Sequence, residues 1–441
     1  MSLEASALRA LDLLAPRRLV AILHCDDPVF LGSSRGAINL TMQVLSRWCF
    51  EHKAEFHVGD NKTVAMVLGG GLHSGSDMAG QVADVLLPCA GGPVTQALTF
   101  KVWHRWLGIP FDARLCFRRV LQERLRLASG EFAALPGLLE SRVAPLHFAL
   151  ELFEAKVDSV VAFARWLFCM VPDAKDLLDA QYETWAKQLL GVPSWKNGAV
   201  ARCELGWGLS GYARALLAVA MRRAALWRLP DDDLYKSVFV AGHGVTTSSW
   251  AKCSLDSSQA VGIVDWPSCA TAQQTKSAYK KCVSDVLQQV CYSEWQGAVA
   301  RHGALVPYGW EQFAGNHIQA VRRLSLSWSD QLCVWSWCRL RAGWIMLSGV
   351  RGLPSRARCQ NCLFCDSRVS KPMVHCLSCC SHWCTFRDAF VHATGGLVET
   401  AGRLAVAVLA TKPRDVSFCV VLRWADAMDR ESHRLQRTAR D

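Results

Sequence analysis

The sequence predicts an α+β protein in which a short β-containing segment precedes a mainly helical region and a small Cys/His-rich unit. Three observations support this prediction. Two apolar runs flank an acidic pair near the N-terminus, apolar residues recur at helical spacing along the middle of the chain, and cysteine and histidine cluster within residues 355–387. With 441 residues, 51% of them apolar and 20% charged, the chain is globular in composition and long enough for two to four domains.

The first β element is built around Asp26 and Asp27, which lie between the apolar runs 20–23 and 29–31. This pattern predicts a strand, an acidic tip and a return strand. Adjacent carboxylates repel each other unless a cation lies between them, and hard oxygen ligands suit Mg²⁺. The arrangement resembles the acidic tip of palm-type polymerases, and this resemblance implies that Asp26 and Asp27 bind magnesium and take part in metal-assisted phosphoryl transfer. A second acidic run, 231–233, has a polar context and predicts a loop or a helix start instead.

A helix is predicted over residues 36–52, where apolar side chains share one face. Two short apolar runs follow it, separated by a turn at residues 59–61. Lys62 comes directly after that turn. A cation near a leaving pyrophosphate can act as general acid or stabilise charge, so Lys62 is a candidate catalytic residue. The alternative interpretation is a surface lysine that follows a turn.

Residues 114–130 are predicted to form a basic helix, because arginines lie opposite a row of leucines. Such a helix could follow a phosphate backbone, or its charge could be paired with Glu123 on a solvated face. The candidates for nucleic-acid contacts are Arg114, Arg118, Arg119 and Arg124. The 18 tryptophans could stack on bases, but their helical spacing favours packing in the core.

The Cys/His cluster is the clearest metal signal in the sequence. Cys359 and Cys362 form a Cys-x2-Cys knuckle, and His375 and Cys379 follow one helical turn apart after twelve intervening residues. Four such ligands close a tetrahedron and leave no open position for chemistry, so we expect a structural zinc ion. The choice of ligands stays open among several neighbours. These are Cys365, Cys376, Cys380, His382 and Cys384.

The composition and the N-terminal sequence predict the class of partner and the cellular compartment. The net charge of +11 favours a polyanion, RNA and/or DNA. No basic n-region followed by a signal-type apolar core opens the chain, so we expect its 20 cysteines to be reduced and the protein to be nuclear or cytoplasmic, not secreted. No apolar run reaches the roughly 18–20 residues of a membrane span, so no membrane partner is expected.

Taken in order, these motifs resemble the C-terminal portion of the reverse transcriptase of non-LTR (LINE-like) retrotransposons. The acidic pair resembles the third catalytic motif of their palm, and Lys62-Thr63 resembles the next one. Trp106-Leu107-Gly108 resembles the Tyr-Leu-Gly of the hairpin that grips the primer. The segment 185–193, followed by Glu204-Leu205-Gly206, resembles elements of the thumb, and the Cys/His cluster resembles the terminal CCHC zinc knuckle.

The resemblance implies an RNA-directed DNA polymerase with Asp26, Asp27 and Lys62 as catalytic residues, a structural Zn²⁺ and, if activity is retained, Mg²⁺. It divides the chain into five consecutive regions. The regions are a partial palm (1–112), a helical thumb-like region (113–235), a Trp-rich connector (236–350), the zinc knuckle (351–390) and a C-terminal tail region (391–441). Independently of the resemblance, the charged tail is expected to be frayed from Asp429 onward.

The sequence also departs from the family's pattern. His24 and Cys25 stand where an aromatic residue and alanine usually precede the aspartates, and Gly59 stands where asparagine is usual. Only 25 residues precede the acidic pair, too few for the fingers and the first palm strand. We therefore expect a fragment that is inactive alone. The alternatives are a non-catalytic zinc-containing nucleic-acid-binding protein and an unrelated helical protein with a structural zinc.

Overall fold

The structure is a computed structural model, and it is mostly helical, with short antiparallel β-hairpins. The coarse α+β prediction agrees with this. The residues that it describes are 21–22, 29–30, 51–53, 64, 66, 82–87, 94–113, 115–194, 197–244, 249–269, 275–300, 313, 315–345, 361–396 and 400–437. Within these residues, no helix combines the length and the apolar character that are needed to cross a bilayer.

Three hairpins supply the described β-structure. Strand β1 (Ala21–Ile22) pairs with β2 (Val29–Phe30), with Ala21 opposite Phe30. This confirms the predicted strand and return strand. A second hairpin joins β3 (Val82–Leu87) to β4 (Val94–Thr99), and a third joins β5 (Trp103–Trp106) to β6 (Ile109–Asp112).

The remaining described elements are helices. The α-helices are α1 (Arg118–Phe132), α2 (Leu135–Glu140), α3 (Leu146–Leu152), α4 (Ser159–Ala162), α5 (Ala174–Leu189), α6 (Gly198–Glu204), α7 (Gly211–Trp227), α8 (Leu234–His243), α9 (Trp250–Gln259), α10 (Trp266–Cys269), α11 (Lys276–Ala300), α12 (Asn316–Arg322), α13 (Trp328–Arg341), α14 (Pro372–Ser378), α15 (Cys384–Ala393), α16 (Ala401–Ala410) and α17 (Phe418–Arg437). A π-helical segment (Phe153–Asp158) joins α3 to α4, and 3₁₀ turns cover Arg165–Met170 and Ser381–Trp383.

The chain packs into two compact units, and each is assembled from three separate segments. Unit 1 comprises Met1–Arg124, Ala162–Ala174 and Ala218–Lys280. Unit 2 comprises Leu125–Val161, Lys175–Leu217 and Lys281–Asp441. This interleaved division differs from the five consecutive regions that the sequence predicts.

Unit 1 contains a buried polar centre on α7. The guanidinium of Arg223, 1% exposed, lies 2.5 Å from the Asp265 carboxylate and donates to the Ser254 hydroxyl and to the Ala251 carbonyl. The Trp227 indole also donates to Asp265, over 2.9 Å. At the start of α8, Asp233 accepts hydrogen bonds from two backbone N–H groups, so the acidic run 231–233 marks a helix start as predicted.

Unit 2 has an aromatic core. The Phe153 ring stacks on Trp207 at 4.2 Å between centroids and meets Trp185 and Tyr182 edge-on. Trp185, Trp337 and Trp424 are fully buried, which confirms core packing for these tryptophans.

The C-terminal helix of unit 2 corrects one expectation. Asp429 is 1% exposed, and one of its carboxylate oxygens lies 3.3 Å from Arg339 Nε. The predicted fraying from Asp429 onward is therefore wrong for the described helix, which continues to Arg437. Asp429 misled the prediction because its partner Arg339 lies on α13, far earlier in the chain, where sequence spacing cannot show it.

Candidate metal centre and basic surfaces

Two cysteines of the Cys/His cluster lie in a tight loop. The Cys362 N–H donates to the Ser367 carbonyl over 2.8 Å, and the Asp366 N–H donates back to the Cys362 carbonyl over 3.0 Å. Asp366 adopts a left-handed conformation with φ of 59°, which reverses the chain. The reversal brings the thiols of Cys362 and Cys365 to the same side.

The other two ligands come from α14 and the turn that ends it. Pro372 occupies the first turn, where its missing N–H costs no helical hydrogen bond. At the other end, the N–H groups of Cys379 and Cys380 both donate to the His375 carbonyl over 2.8 Å. This turn buries the Cys380 side chain completely and leaves Cys379 exposed.

The resulting cluster has the dimensions of a four-coordinate metal site. One atom each from Cys362, Cys365, His375 and Cys380 lies within 4.8 Å of the others. The sulfurs of Cys362 and Cys380 are 3.8 Å apart, and Cys365 Sγ is 3.2 Å from His375 Nε2. A tetrahedron with zinc–sulfur bonds of about 2.3 Å has sulfur–sulfur edges of about 3.8 Å. The cluster can therefore hold a metal ion of this kind.

A fifth residue, Cys376, lowers the pKa of two of the cysteine ligands. Cys376 is fully buried, with its Sγ 3.8 Å from that of Cys362. Hydrogen bonding from Cys376 lowers the pKa of Cys362 to about 4 and that of Cys380 to about 6, and the same contacts raise the pKa of Cys376. Burial raises the pKa of Cys365. The lowered pKa of Cys362 and Cys380 favours their thiolate forms, and the thiolate is the form that ligates metals.

The ligand set partly matches the sequence-based one. Of the four predicted ligands, Cys362 and His375 lie in the cluster, together with the open alternatives Cys365 and Cys380. Cys379 lies outside it, with its Sγ 3.3 Å from the Ser378 hydroxyl. Cys359 lies outside the described residues. The sequence contains two overlapping Cys-x2-Cys pairs, 359/362 and 362/365, and spacing alone does not choose between them.

Two arginines of the predicted basic helix face the solvent on α1. Arg118 is ion-paired with Asp173 over 2.6 Å, with its side chain 54% exposed. The Arg119 guanidinium lies over the ring of Trp103 at 3.9 Å, and Trp103 itself is 42% exposed. Glu123, the expected partner of this face, instead pairs with Arg105 of β5. Arg118, Arg119 and Trp103 are thus exposed, with Arg118 paired to Asp173 and Arg119 on one face of the Trp103 ring, and we refer to them together as the Arg118–Arg119–Trp103 surface.

Arg124 has an internal role. It donates to the Gly108 carbonyl over 2.5 Å and lies over the Phe163 ring at 4.2 Å. Gly108 and Leu107 form the two-residue turn between β5 and β6, with φ of 75° and 50°, as in the tight turns that favour glycine. The hairpin expected at Trp106-Leu107-Gly108 is therefore present, and Arg124 holds its turn against α1.

The predicted magnesium ligands Asp26 and Asp27 lie outside the described residues, as do Lys62 and Arg114. Strands β1 and β2 flank the acidic pair in sequence. Comparison of the whole chain with protein-family models, with curated proteins and with solved structures found no match.

Proposed function

We propose that this chain is a nucleic-acid-binding protein whose C-terminal module is stabilised by a structural zinc ion. The Cys362–Cys365–His375–Cys380 cluster carries the proposal. Its three sulfurs and one imidazole nitrogen are the donors that zinc prefers, and all four positions are taken by side chains. Such a closed site serves structure, because no position is left for a substrate.

The zinc would join a loop to a helix. The loop 362–367 and α14 belong to a short stretch of chain, and a small unit of this kind gains much of its folding free energy from the metal. Zinc would crosslink the two parts, while the buried Cys376 hydrogen-bonds with the ligand Cys362.

Charge and shape favour a nucleic acid as the partner. The chain carries a net charge of +11, and the surface of Arg118, Arg119 and Trp103 combines cations with an exposed ring. Cations neutralise phosphates, and an aromatic face accepts a base of any identity. This combination fits RNA or DNA bound without strong sequence preference.

Metal analysis of the reduced protein tests the zinc site. We expect about one zinc per chain, loss of zinc in Cys362→Ser and in Cys380→Ser, and retention in the matched control Cys379→Ser. Because Cys379 is adjacent to Cys380 but exposed, the pair separates a ligand from a neighbouring thiol. Retention of zinc in Cys380→Ser together with loss in Cys379→Ser would contradict this ligand set.

A second candidate function is the polymerase implied by the resemblance to reverse transcriptases. Two hairpins favour it. The β1–β2 pairing brackets Asp26 and Asp27, and β5–β6 turns at Leu107-Gly108, where the primer-gripping hairpin is expected. Template-dependent nucleotide incorporation with Mg²⁺ that is abolished in Asp26→Ala would support this candidate. Binding of primed RNA without incorporation would leave nucleic-acid binding as the function.

A further inference from the structure

Unit 2 contains a cleft of about 410 Å³ that the zinc site does not use. It lies between α12, the C-terminal part of α13 and the turn that joins α16 to α17. We call it the basic cleft. Its rim carries the cations Arg323, Lys412 and Arg414, and its floor includes His317 and Trp337.

The turn at residues 411–415 presents two of the rim cations. Thr411 and Pro413 are buried, whereas Lys412 and Arg414 are exposed. The Asp415 carboxylate, the one acidic group that lines the cleft, accepts the Lys412 backbone N–H over 2.7 Å. Asp415 therefore fixes the turn.

The third rim cation comes from α12. Arg323 follows the last residue of this helix and is exposed. Neither Arg323 nor Arg414 has an ion-pair partner among the residues that the structure describes. Arg341 also lines the cleft, but its charge is balanced by Glu204, whose two carboxylate oxygens lie 3.3 and 3.2 Å from its Nε.

His317 supplies a hydrogen-bond acceptor to the floor. Its Nε2 is 3.1 Å from the Glu204 carbonyl oxygen, and a carbonyl only accepts, so Nε2 carries the hydrogen. Burial lowers the pKa of His317 to about 3, so the ring is neutral. Its Nδ1 is then a bare lone pair, buried and without a hydrogen-bond partner within the described part of the chain.

Trp337 supplies a donor. The residue is fully buried, and its indole Nε1 likewise has no hydrogen-bond partner among the described residues. Buried polar groups in folded proteins are usually paired with protein or ordered water, and these two atoms lack a protein partner among the described residues. A ligand or the water it orders would relieve this deficit.

The floor is held in place by a close approach of two backbones. Gly206 and Gly315 both have positive φ, 74° and 72°, and a Cβ on Gly315 would lie 2.7 Å from Gly206 Cα. This contact sets the start of α12 beside the end of α6, and so fixes His317 against Glu204. The cleft is thus built before any ligand arrives.

We propose that the basic cleft binds a phosphate group, supplied either by a nucleic-acid strand or by a free nucleotide. Three exposed cations around a polar, uncharged floor match a compact anion that forms several hydrogen bonds. The strand as source rests on the proposed function. The site would then be a fixed phosphate anchor within unit 2, separate from the Arg118–Arg119–Trp103 surface of unit 1.

The test uses two double variants of the full chain with equal loss of charge. The cleft variant is Arg323→Gln with Arg414→Gln. The control is Arg322→Gln with Arg403→Gln, two exposed arginines outside the cleft, one of them adjacent to Arg323. Circular dichroism and zinc content establish that both are folded. Thermal unfolding is then followed against inorganic phosphate and adenosine monophosphate, with chloride at matched ionic strength. Binding to a short single-stranded RNA is measured as a function of salt.

We expect phosphate and the mononucleotide to raise the unfolding temperature of the wild type and of the control, but not of the cleft variant. If a strand is the source, the cleft variant also loses up to about two units of the salt slope for RNA, one per lost phosphate contact. If a free nucleotide is the source, the slope is that of the control. If phosphate raised the unfolding temperature of both variants equally, the proposal that the basic cleft binds phosphate would be wrong, even if RNA still binds. A phosphate response without RNA binding would instead overturn the proposed function and leave the cleft.

Discussion

At the scale of single residues, burial determines how much an ion pair affects the stability of the fold. Glu204 and Arg341 are 0% and 3% exposed at their side chains, whereas Lys175 and Glu294, 2.6 Å apart, are both about half exposed. An exposed pair gains little, because water and salt screen it and two flexible chains must be ordered. A buried pair is different, since removal of one partner leaves a charge without compensation.

We therefore expect Glu204→Gln to lower the free energy of unfolding by about 3–5 kcal/mol, because Arg341 stays buried and unpaired. The matched change Glu294→Gln should cost less than about 1 kcal/mol. Urea denaturation of both variants checks this, with zinc bound throughout. Similar losses in the two variants would contradict the assignment of Glu204 as the buried partner of Arg341.

His317 predicts a pH dependence of stability. Its pKa is lowered from 6.5 to about 3 in the folded protein, mainly by burial. Between these values the unfolded chain binds a proton that the folded chain does not, so stability falls as pH decreases below about 6.5. From pH 7 to pH 5 this amounts to about 2 kcal/mol.

The variant His317→Gln should lack this component, so its stability should decrease about 2 kcal/mol less over the same interval. The comparison of the two proteins is needed because acid also protonates the cysteine ligands in both. Denaturation curves at pH 7 and pH 5 give the difference. Parallel pH dependences for wild type and variant would show that His317 titrates normally.

At the scale of elements, the strands and helices that depend on the local spacing of apolar residues were predictable from the sequence. Apolar runs around Asp26 and Asp27 predicted β1 and β2, and the leucine periodicity of 114–130 predicted a helix where α1 runs from Arg118 to Phe132. The role of Arg124 was not predictable, because it depends on which side of α1 faces the β5–β6 turn. Two of the four zinc ligands, Cys362 and His375, were predicted, because the choice of the other two depends on how the chain turns. The turn after α14 that buries Cys380 instead of Cys379 is set by hydrogen bonds to His375.

The β5–β6 turn should depend on glycine. Gly108→Ala places a Cβ at φ of 75°, which costs an L-residue about 1–2 kcal/mol although the space is open to 3.7 Å. Gly130→Ala, within α1 and with no neighbour inside 4 Å, should instead stabilise by up to about 1 kcal/mol. Thermal unfolding of the two variants should therefore show shifts of opposite sign. A stabilising Gly108→Ala would be inconsistent with the tight turn.

At the scale of the whole molecule, charge sets the expected behaviour toward nucleic acids. Affinity for RNA or DNA should fall steeply with salt, because phosphate contacts release counterions. Arg118→Gln with Arg119→Gln should weaken binding to all sequences and flatten the salt slope by up to about one unit per lost contact. Arg124→Gln is the control, since that guanidinium is engaged with Gly108 and Phe163. An unchanged slope in the double variant would remove this surface from the binding site.

The division into two interleaved units is the feature that the sequence could least reveal. Composition and motif order describe consecutive stretches, whereas the units are defined by partners far apart in the chain. Arg142 pairs with Asp426, 284 positions later, and no periodicity carries that information. The C-terminal helix was misjudged for this reason. In the sequence alone, the charged residues of this helix are typical of a solvated tail. In the structure, Asp429 is buried and paired with Arg339 of α13.

The same pairing orders events during synthesis. At about 5–20 residues per second, a ribosome needs tens of seconds to travel from Arg142 to Asp426. Once α13 has been synthesised, its apolar face lacks the helix that covers it, and the buried Arg339 lacks Asp429, until α17 follows. Unit 2 therefore cannot close until α17 has left the exit tunnel. Until then, the apolar surface that the unfinished unit 2 exposes makes the nascent chain prone to aggregation.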